Sequence, residues 1–341
     1  MYDSAQNVIG IYSHSSLLML PSKPPILITG THRSGTTWIG DVLNQIPAIF
    51  QVNEPFSPRT CEKYPGRSTA HFKYWYTHIN HVNEDLFFKS INSSVSLSFS
   101  FSEQLFKSSN SSFINWKFSV KEALRWKRAQ LLQKRVLFKD PIALLSVEWL
   151  IKTFNFCTVC LIRHPAAFVA SMKRLNIYFD FGQLLHQENL LDACIGQDIV
   201  DNYTLLSEQL KSSNIIENAA WAWRILNSVV PTYCDQFDDR FRLYRYEDIA
   251  ADPQNEFPRI FSYIDLAFSK FVGDYIQTIS GEQNIESSNR RSWDFTARNS
   301  KQIIHSWKQQ LTPHEIGLIK DIVSPLSDQF YSSDDWNQNL V

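Results

Sequence analysis

A glycine-edged loop between an apolar strand and an amphipathic helix constrains the fold of this chain more than any other feature. The run Pro24-Pro25-Ile26-Leu27-Ile28-Thr29-Gly30 is typical of a short, buried parallel strand. Small polar residues follow at 31–36, and apolar side chains then recur at helical spacing from Thr37 to Ile46. Strand, tight loop and helix in this order favour anion binding, because backbone N–H groups and the helix N-terminus converge on one point.

Further strand and helix patterns alternate along the rest of the chain. Short apolar runs predict strands at 48–52, 135–139, 157–162 and 241–246. Helical spacing predicts helices at 144–154, 165–176, 219–237, 257–266 and 313–330. Repeated strand–helix units imply an α/β fold of the P-loop type: a doubly wound parallel sheet with helices on both faces.

The boundaries of this fold follow from the same patterns. We expect one domain over residues 24–336, with an N-terminal extension at 1–23 and a short tail at 337–341. Residues 57–130 show only period-two alternation, at Val95, Leu97, Phe99 and Phe101. We interpret them as an irregular insertion over one edge of the sheet. Loops and insertions at such an edge usually form the substrate pocket.

Composition excludes several classes of protein. Hydrophobic residues make up 44% of the 341 residues and charged residues 20%, which is enough apolar material for a core and argues against disorder. The 33 basic and 34 acidic residues leave a net charge of −1, so nucleic acid is not an expected partner. No run has the length of a membrane span or the pattern of a signal peptide.

The five cysteines lack the spacing of a disulfide framework. Cys157 and Cys160 form a CxxC inside an apolar run and have no second ligand pair, which favours two buried free thiols over a zinc site. Reduced thiols favour a cytoplasmic location. The sequence leaves the oligomeric state open, a homodimer included.

The loop departs from a Walker phosphate loop in the position of its cation. Gly30 and Gly35 have the Walker spacing, but Thr36 occupies the position of the Walker lysine, and the cation is Arg33 inside the loop. The run Thr31-His32-Arg33-Ser34-Gly35-Thr36-Thr37-Trp38 resembles the 5′-phosphosulfate loop of sulfotransferases that use 3′-phosphoadenylyl sulfate (PAPS).

A second block, Leu161-Ile162-Arg163-His164-Pro165-Ala166-Ala167-Phe168-Val169-Ala170-Ser171, supports the resemblance. In that family an arginine at a strand end and a serine eight residues later hold the 3′-phosphate. The spacing also lets the two residues converge on one phosphate. If a helix begins near His164, Ser171 lies about two turns later and faces the strand end that carries Arg163. Weaker matches are Leu137–Pro141, Tyr244–Asp248 and Ser306–Leu311. The arginine in this loop resembles the loop of the carbohydrate- and tyrosine-directed branches. The tyrosine-directed enzymes carry a further arginine four residues after the serine, where this chain has Leu175.

The resemblance implies a role for each matched residue. Ser34, Gly35, Thr36 and Thr37 would bind the 5′-phosphate, and Arg163 and Ser171 the 3′-phosphate. Arg33 and Lys139 would contact the sulfuryl and bridging oxygens. Trp38 would stack on adenine, unless it is helix core, and Tyr246 would reach the nucleotide. Arg291 and Ser292 are the nearest candidates for the family's C-terminal clamp, which has a glycine that this chain lacks.

Transfer to a hydroxyl also needs a base. Glu54 follows the second strand, at the carboxyl edge where ligands collect in such sheets. Alternatively, Glu54 is a buried carboxylate in a Glu-Pro turn and is paired with Arg33. The other candidates for the base are His71, His78 and His81. No group of side chains has metal-ligand spacing, so no metal is expected.

Together these features predict a sulfotransferase that moves a sulfuryl group from PAPS, leaving adenosine 3′,5′-bisphosphate (PAP), to a hydroxyl acceptor. The acceptor stays open among carbohydrate, lipid, tyrosine and small alcohol. The alternatives are a P-loop nucleotide kinase and a non-catalytic nucleotide-binding module.

Overall fold

The computed structural model describes residues 23–58, 70–98, 113–187, 190, 214–281 and 300–337. Five strands lie in these ranges: β1 (Ile26–Gly30), β2 (Ile49–Asn53), β3 (Arg135–Lys139), β4 (Cys157–Ile162) and β5 (Phe241–Arg245). They form one parallel sheet in the order β2-β3-β1-β4-β5. The predicted strands and the doubly wound α/β fold are therefore confirmed.

Helices connect the strands and cover the sheet. They are α1 (Thr36–Leu43), α2 (Asp85–Val95), α3 (Phe113–Leu131), α4 (Val147–Phe154), α5 (Pro165–Leu175), α6 (Gly182–Leu185), α7 (Ile215–Asn227), α8 (Val230–Gln236), α9 (Tyr246–Ala251), α10 (Pro253–Tyr263), α11 (Lys270–Ser280), α12 (Ser300–Ile304), α13 (Trp307–Gln310), α14 (Pro313–Val323) and α15 (Ser333–Trp336). Short 3₁₀ turns lie at Pro141–Ser146 and Ser327–Gln329. Within these ranges every helix is too short or too polar to cross a bilayer.

The two faces of the sheet bury different residues because side chains alternate along each strand. Leu27, Phe138 and Ile162 join a large core that includes α4, α5, α7 and α14. Ile28, Leu137 and Leu161 point the other way, into a core shared with α1, α9, α10 and α11. Cys157 and Cys160 of β4 are buried free thiols, as the apolar run around them predicts.

Two helical regions differ from the sequence prediction. The expected helix at 219–237 is two helices, α7 and α8, because Pro231 has no N–H to continue the hydrogen-bond ladder. The insertion contains α2 and α3, and Val95 ends a helix rather than belonging to an alternating strand. Phe99 and Phe101 lie outside the described residues. The helix predicted at 313–330 ends at Val323, since Pro325 restricts the residue before it.

The parallel topology brings the carboxyl ends of all five strands to one edge of the sheet. Strand β1 lies in the middle, with β3 on one side and β4 on the other. Gly30, Lys139 and Ile162 therefore end neighbouring strands, and ligands of open α/β sheets bind at such a reversal of strand order.

Candidate active site

The loop after β1 is held in a conformation that depends on its glycines. Gly30, Arg33 and Gly35 have positive φ angles of 142°, 69° and 100°. A Cβ atom on Gly35 would lie 2.5 Å from Cδ2 of Tyr246, and one on Gly30 would lie 2.2 Å from the carbonyl oxygen of Leu161. The loop therefore packs directly against the ends of β4 and β5, where a side chain at either glycine would not fit.

Buried hydroxyls without partners line this loop. Thr31 Oγ1 and Ser34 Oγ are both buried and lack a hydrogen-bond partner. No side chain caps the N-terminus of α1, where Thr36 is buried and Thr37 half-buried. Buried polar atoms are nearly always hydrogen-bonded in folded proteins, so these groups are available to a ligand.

Arg33 joins the loop to the second predicted anion site. Its Nε donates to Oγ of Ser171 at 3.1 Å, although 138 residues separate the two. Nη1 of Arg163 donates to the carbonyl oxygen of Arg33 at 2.9 Å. The structure thus brings together Arg33, Arg163 and Ser171, which the sequence assigned to two ends of one nucleotide.

Arg163 is fixed at the end of β4 by its neighbours. Its guanidinium lies 5.0 Å from the centre of the Tyr246 ring, and its carbonyl oxygen accepts from the indole N–H of Trp223 at 2.8 Å. Its Nε is buried without a hydrogen-bond partner. The side chain therefore keeps a donor for a bound anion while the backbone is anchored.

His164 fixes the start of α5 immediately after Arg163. Its Nδ1 accepts from the backbone N–H of Ala166 at 3.2 Å, and the backbone N–H of His164 donates to Oε1 of Glu247 at 3.0 Å. The ring stacks on Trp307, with centroids 5.0 Å apart and planes at 9°. Burial lowers the pKa of His164 to about 3, so the ring is neutral. Sequence reasoning did not single out His164 or Glu247, although both lie in the quoted blocks.

Glu54 and Lys139 form an ion pair at the ends of β2 and β3. Lys139 Nζ lies 2.7 Å from Glu54 Oε1, and the N–H of Glu54 donates to the carbonyl oxygen of Lys139 at 2.8 Å. The Glu54 side chain is 40% exposed, whereas that of Lys139 is 9% exposed. Lys139 is thus an observed partner of Glu54, and the carboxylate is accessible.

Trp38 and Tyr246 lie side by side beneath the loop. Trp38 is only 3% exposed and makes edge-on contacts with Tyr246 and Phe257. Its packing role is observed, and stacking on adenine stays a prediction. Tyr246 begins α9 and contacts both Gly35 and Arg163, so it lies between the two predicted phosphate sites.

The remaining candidates are spread more widely. His71 and His81 are exposed, and His78 is buried, with its backbone N–H donating to Gln187 Oε1 at 2.7 Å. Burial lowers the pKa of His78. Arg291 and Ser292 lie outside the described residues.

Tyr76 connects the insertion to the loop, a contact that no sequence signal indicated. Its hydroxyl accepts from the backbone N–H of His32 at 2.8 Å and lies 2.6 Å from His32 Nδ1. Burial and the adjacent Arg33 lower the pKa of His32 to about 4. The ring is therefore neutral, and its Nε2 lies 3.2 Å from Met172 Sδ.

One family model and several solved structures match this chain. Residues 24–270, well over half of the chain, match the model of the sulfotransferase family. The solved sulfotransferase domain of the Synechococcus PCC 7002 olefin synthase is 14% identical and has a TM-score of 0.47, covering 91% of this chain and 96% of its own. Mouse SULT7A1, solved with PAP, is 11% identical with a TM-score of 0.41, covering 92% and 86%. No curated protein matches the sequence.

Proposed function

The chain belongs to the sulfotransferase family, and from this membership we propose that it transfers a sulfuryl group from PAPS to a hydroxyl acceptor. The observation that carries the proposal is the junction of Arg33, Arg163 and Ser171. A nucleotide with phosphates at both its 5′ and 3′ positions needs two anion sites side by side, and this junction would supply them.

Polar atoms of the loop after β1 and of Arg163 also support the proposal. Ser34 Oγ and Arg163 Nε are buried and without partners, which costs stability unless a ligand completes them. Ser34, Gly35, Thr36 and Thr37 would hold the 5′-phosphate at the N-terminus of α1. Arg163 and Ser171 would hold the 3′-phosphate, with a guanidinium fork and a hydroxyl. Tyr246, and the edge of Trp38, would lie beside the adenosine.

The ion pair at the sheet edge suits the transfer itself. Glu54 would accept the proton of the acceptor hydroxyl as that oxygen bonds to sulfur and the bond from sulfur to the phosphate oxygen breaks. Lys139 and Arg33 would stabilise the negative charge that develops on the leaving phosphate oxygen. A loose in-line transfer of this kind depends on positioning and positive charge more than on covalent catalysis. No step in this scheme calls for a metal.

The acceptor class stays open among carbohydrates, lipids, peptide tyrosines and small alcohols. We propose a cytoplasmic location, which the free thiols Cys157, Cys160 and Cys234 support. Light scattering of the purified protein tests whether it forms a homodimer.

Nucleotide binding distinguishes this function from the alternatives. We expect PAP to raise the melting temperature without magnesium, whereas a P-loop kinase would respond to ATP with magnesium. Stabilisation by ATP and magnesium alone would contradict the proposal.

Labelled PAPS, incubated with fractions of a cell extract, then tests turnover and identifies the acceptor. Glu54→Gln should lower turnover by about 100-fold or more, within the range general-base catalysis supplies. Glu148→Gln is the matched control, because Glu148 forms an exposed ion pair with Lys152 away from the site. Full turnover by Glu54→Gln would require another base, and a non-catalytic module would show no turnover at all.

A further inference from the structure

The carboxyl group of Asp140 is fully buried next to the Glu54–Lys139 ion pair. It follows Lys139 at the end of β3 and has no exposed surface. Its Oδ1 accepts from the N–H of Ile142 at 3.1 Å, which caps the following 3₁₀ turn. Its Oδ2 accepts from the N–H of Phe56 at 2.7 Å, across 84 residues of sequence. The second bond is not needed for the cap.

The bond to Phe56 acts on the turn that carries Glu54. Glu54 has a left-handed φ of 49°, a conformation that costs energy for a residue with a side chain. The hydrogen bonds that hold this turn include three from backbone N–H groups: Glu54 N–H to Lys139 O at 2.8 Å, Ser57 N–H to Glu54 O at 3.1 Å, and Phe56 N–H to Asp140. Strained residues that persist at such edges are held by their surroundings, and Asp140 supplies the one side-chain anchor among these three bonds.

We propose that Asp140 is a positioning residue for the transfer reaction, because its carboxyl oxygens tie the Glu54–Phe56 turn to the end of β3 and so orient Glu54 toward the acceptor. The proposal rests on the proposed function, in which Glu54 is the base. Asp140 itself is buried and contacts neither the acceptor nor the nucleotide. Asp140 positions the carboxylate of Glu54 through the backbone of the turn. Lys139, the residue before Asp140, contacts that carboxylate directly in the ion pair.

This role makes a prediction that a purely structural role does not. If Asp140 acts through Glu54, its loss should matter only while Glu54 is present, so the two substitutions should be strongly non-additive. A displacement of about 1 Å in a catalytic group costs on the order of 100-fold in rate. Binding of PAP should be unaffected, since the turn at 54–56 lies outside the predicted nucleotide contacts.

The test is a double-mutant cycle of Asp140→Asn and Glu54→Gln. Asparagine can keep the cap on Ile142 with its oxygen, but then presents an amide N–H₂ to the Phe56 N–H. We expect Asp140→Asn to lower turnover of labelled PAPS about 10- to 100-fold, with the extract fraction that the wild-type protein sulfates as acceptor. The affinity for PAP should stay within twofold, and the Phe56 amide should exchange with solvent faster.

In the Glu54→Gln background the same substitution should change turnover by less than about twofold. Ser269→Ala is the control, because it also removes an oxygen that accepts a backbone N–H, from Val272 in α11. That variant should retain wild-type turnover.

Equal loss of turnover in both backgrounds would overturn the proposal, and so would weaker binding of PAP. If Asp140→Asn does not fold, Asp140→Ser, which can still cap the turn, replaces it. Failure of both to fold would show that Asp140 serves the fold, and would also overturn the proposal. Failure of the proposed base is distinguishable, because then Glu54→Gln alone would be fully active.

Discussion

The guanidinium of Arg33 donates from Nε to the hydroxyl of Ser171 at 3.1 Å, linking the loop after β1 to the second turn of α5. The sequence assigned Arg33 to the sulfuryl and bridging oxygens at the 5′ end of the donor, and Ser171 to the 3′-phosphate. Their contact means that the two predicted anion sites adjoin one another, as a single doubly phosphorylated nucleotide requires.

Gly35→Ala should disrupt the loop. The new methyl group would meet the Tyr246 ring 2.5 Å away, and alanine is strained at a φ of 100°. We expect a loss of roughly 2–4 kcal/mol in the free energy of unfolding, measured with urea. PAP affinity should fall at least tenfold. Gly317→Ala is the control, because Gly317 lies inside α14 with open space around it, and alanine favours a helix. If Gly35→Ala leaves both the free energy of unfolding and the affinity for PAP unchanged, the assignment of this loop to the 5′-phosphate is wrong.

Tyr76→Phe should weaken the link between the insertion and the loop. Its hydroxyl contacts both the N–H and the Nδ1 of His32, so its removal leaves two half-buried groups without this partner. An unsatisfied buried group costs about 1–3 kcal/mol, and we expect a loss in that range on urea unfolding. Faster amide exchange across 31–35 should accompany it. Tyr178→Phe, at a residue 53% exposed, should change neither quantity. Equal behaviour of the two variants would count against the link.

His164 should make the protein less stable as the pH falls. Burial lowers its folded pKa to about 3, against 6.5 for the ordinary side chain. Between these values the unfolded chain binds the extra proton, so stability rises with pH and is lost below pH 6.5. The loss from this residue amounts to about 2 kcal/mol between pH 6.5 and 5. His164→Asn can still cap α5 and should show a flatter slope, while His32 contributes equally to both proteins. Parallel slopes would contradict the assignment of a neutral, buried ring.

The sheet and the loop were predictable because their signals are local. Short apolar runs predicted the five strands, and the spacing from Arg163 to Ser171 predicted that Ser171 of α5 faces the strand end that carries Arg163. The family resemblance, which rests on these two blocks, is confirmed by the match over residues 24–270.

The contacts that complete the site were not predictable, because they join distant parts of the chain. Lys139 and Glu54 are 85 residues apart, and Tyr76 and His32 are 44 apart, with nothing in either local pattern to pair them. The helices of the insertion were missed for a different reason. The alternation around Val95 is equally compatible with the end of a helix, and a short apolar pattern does not decide between the two.

The most direct test of the account compares the affinities of PAP and adenosine 5′-phosphate, which differ only in the 3′-phosphate, by calorimetry without magnesium. The wild-type protein should prefer PAP at least tenfold. Arg163→Ala should abolish that preference, because the guanidinium that would bind the 3′-phosphate is lost. Arg259→Ala, at an exposed arginine of α10, is the control and should behave as wild type. An Arg163→Ala protein that still prefers PAP would contradict the central claim.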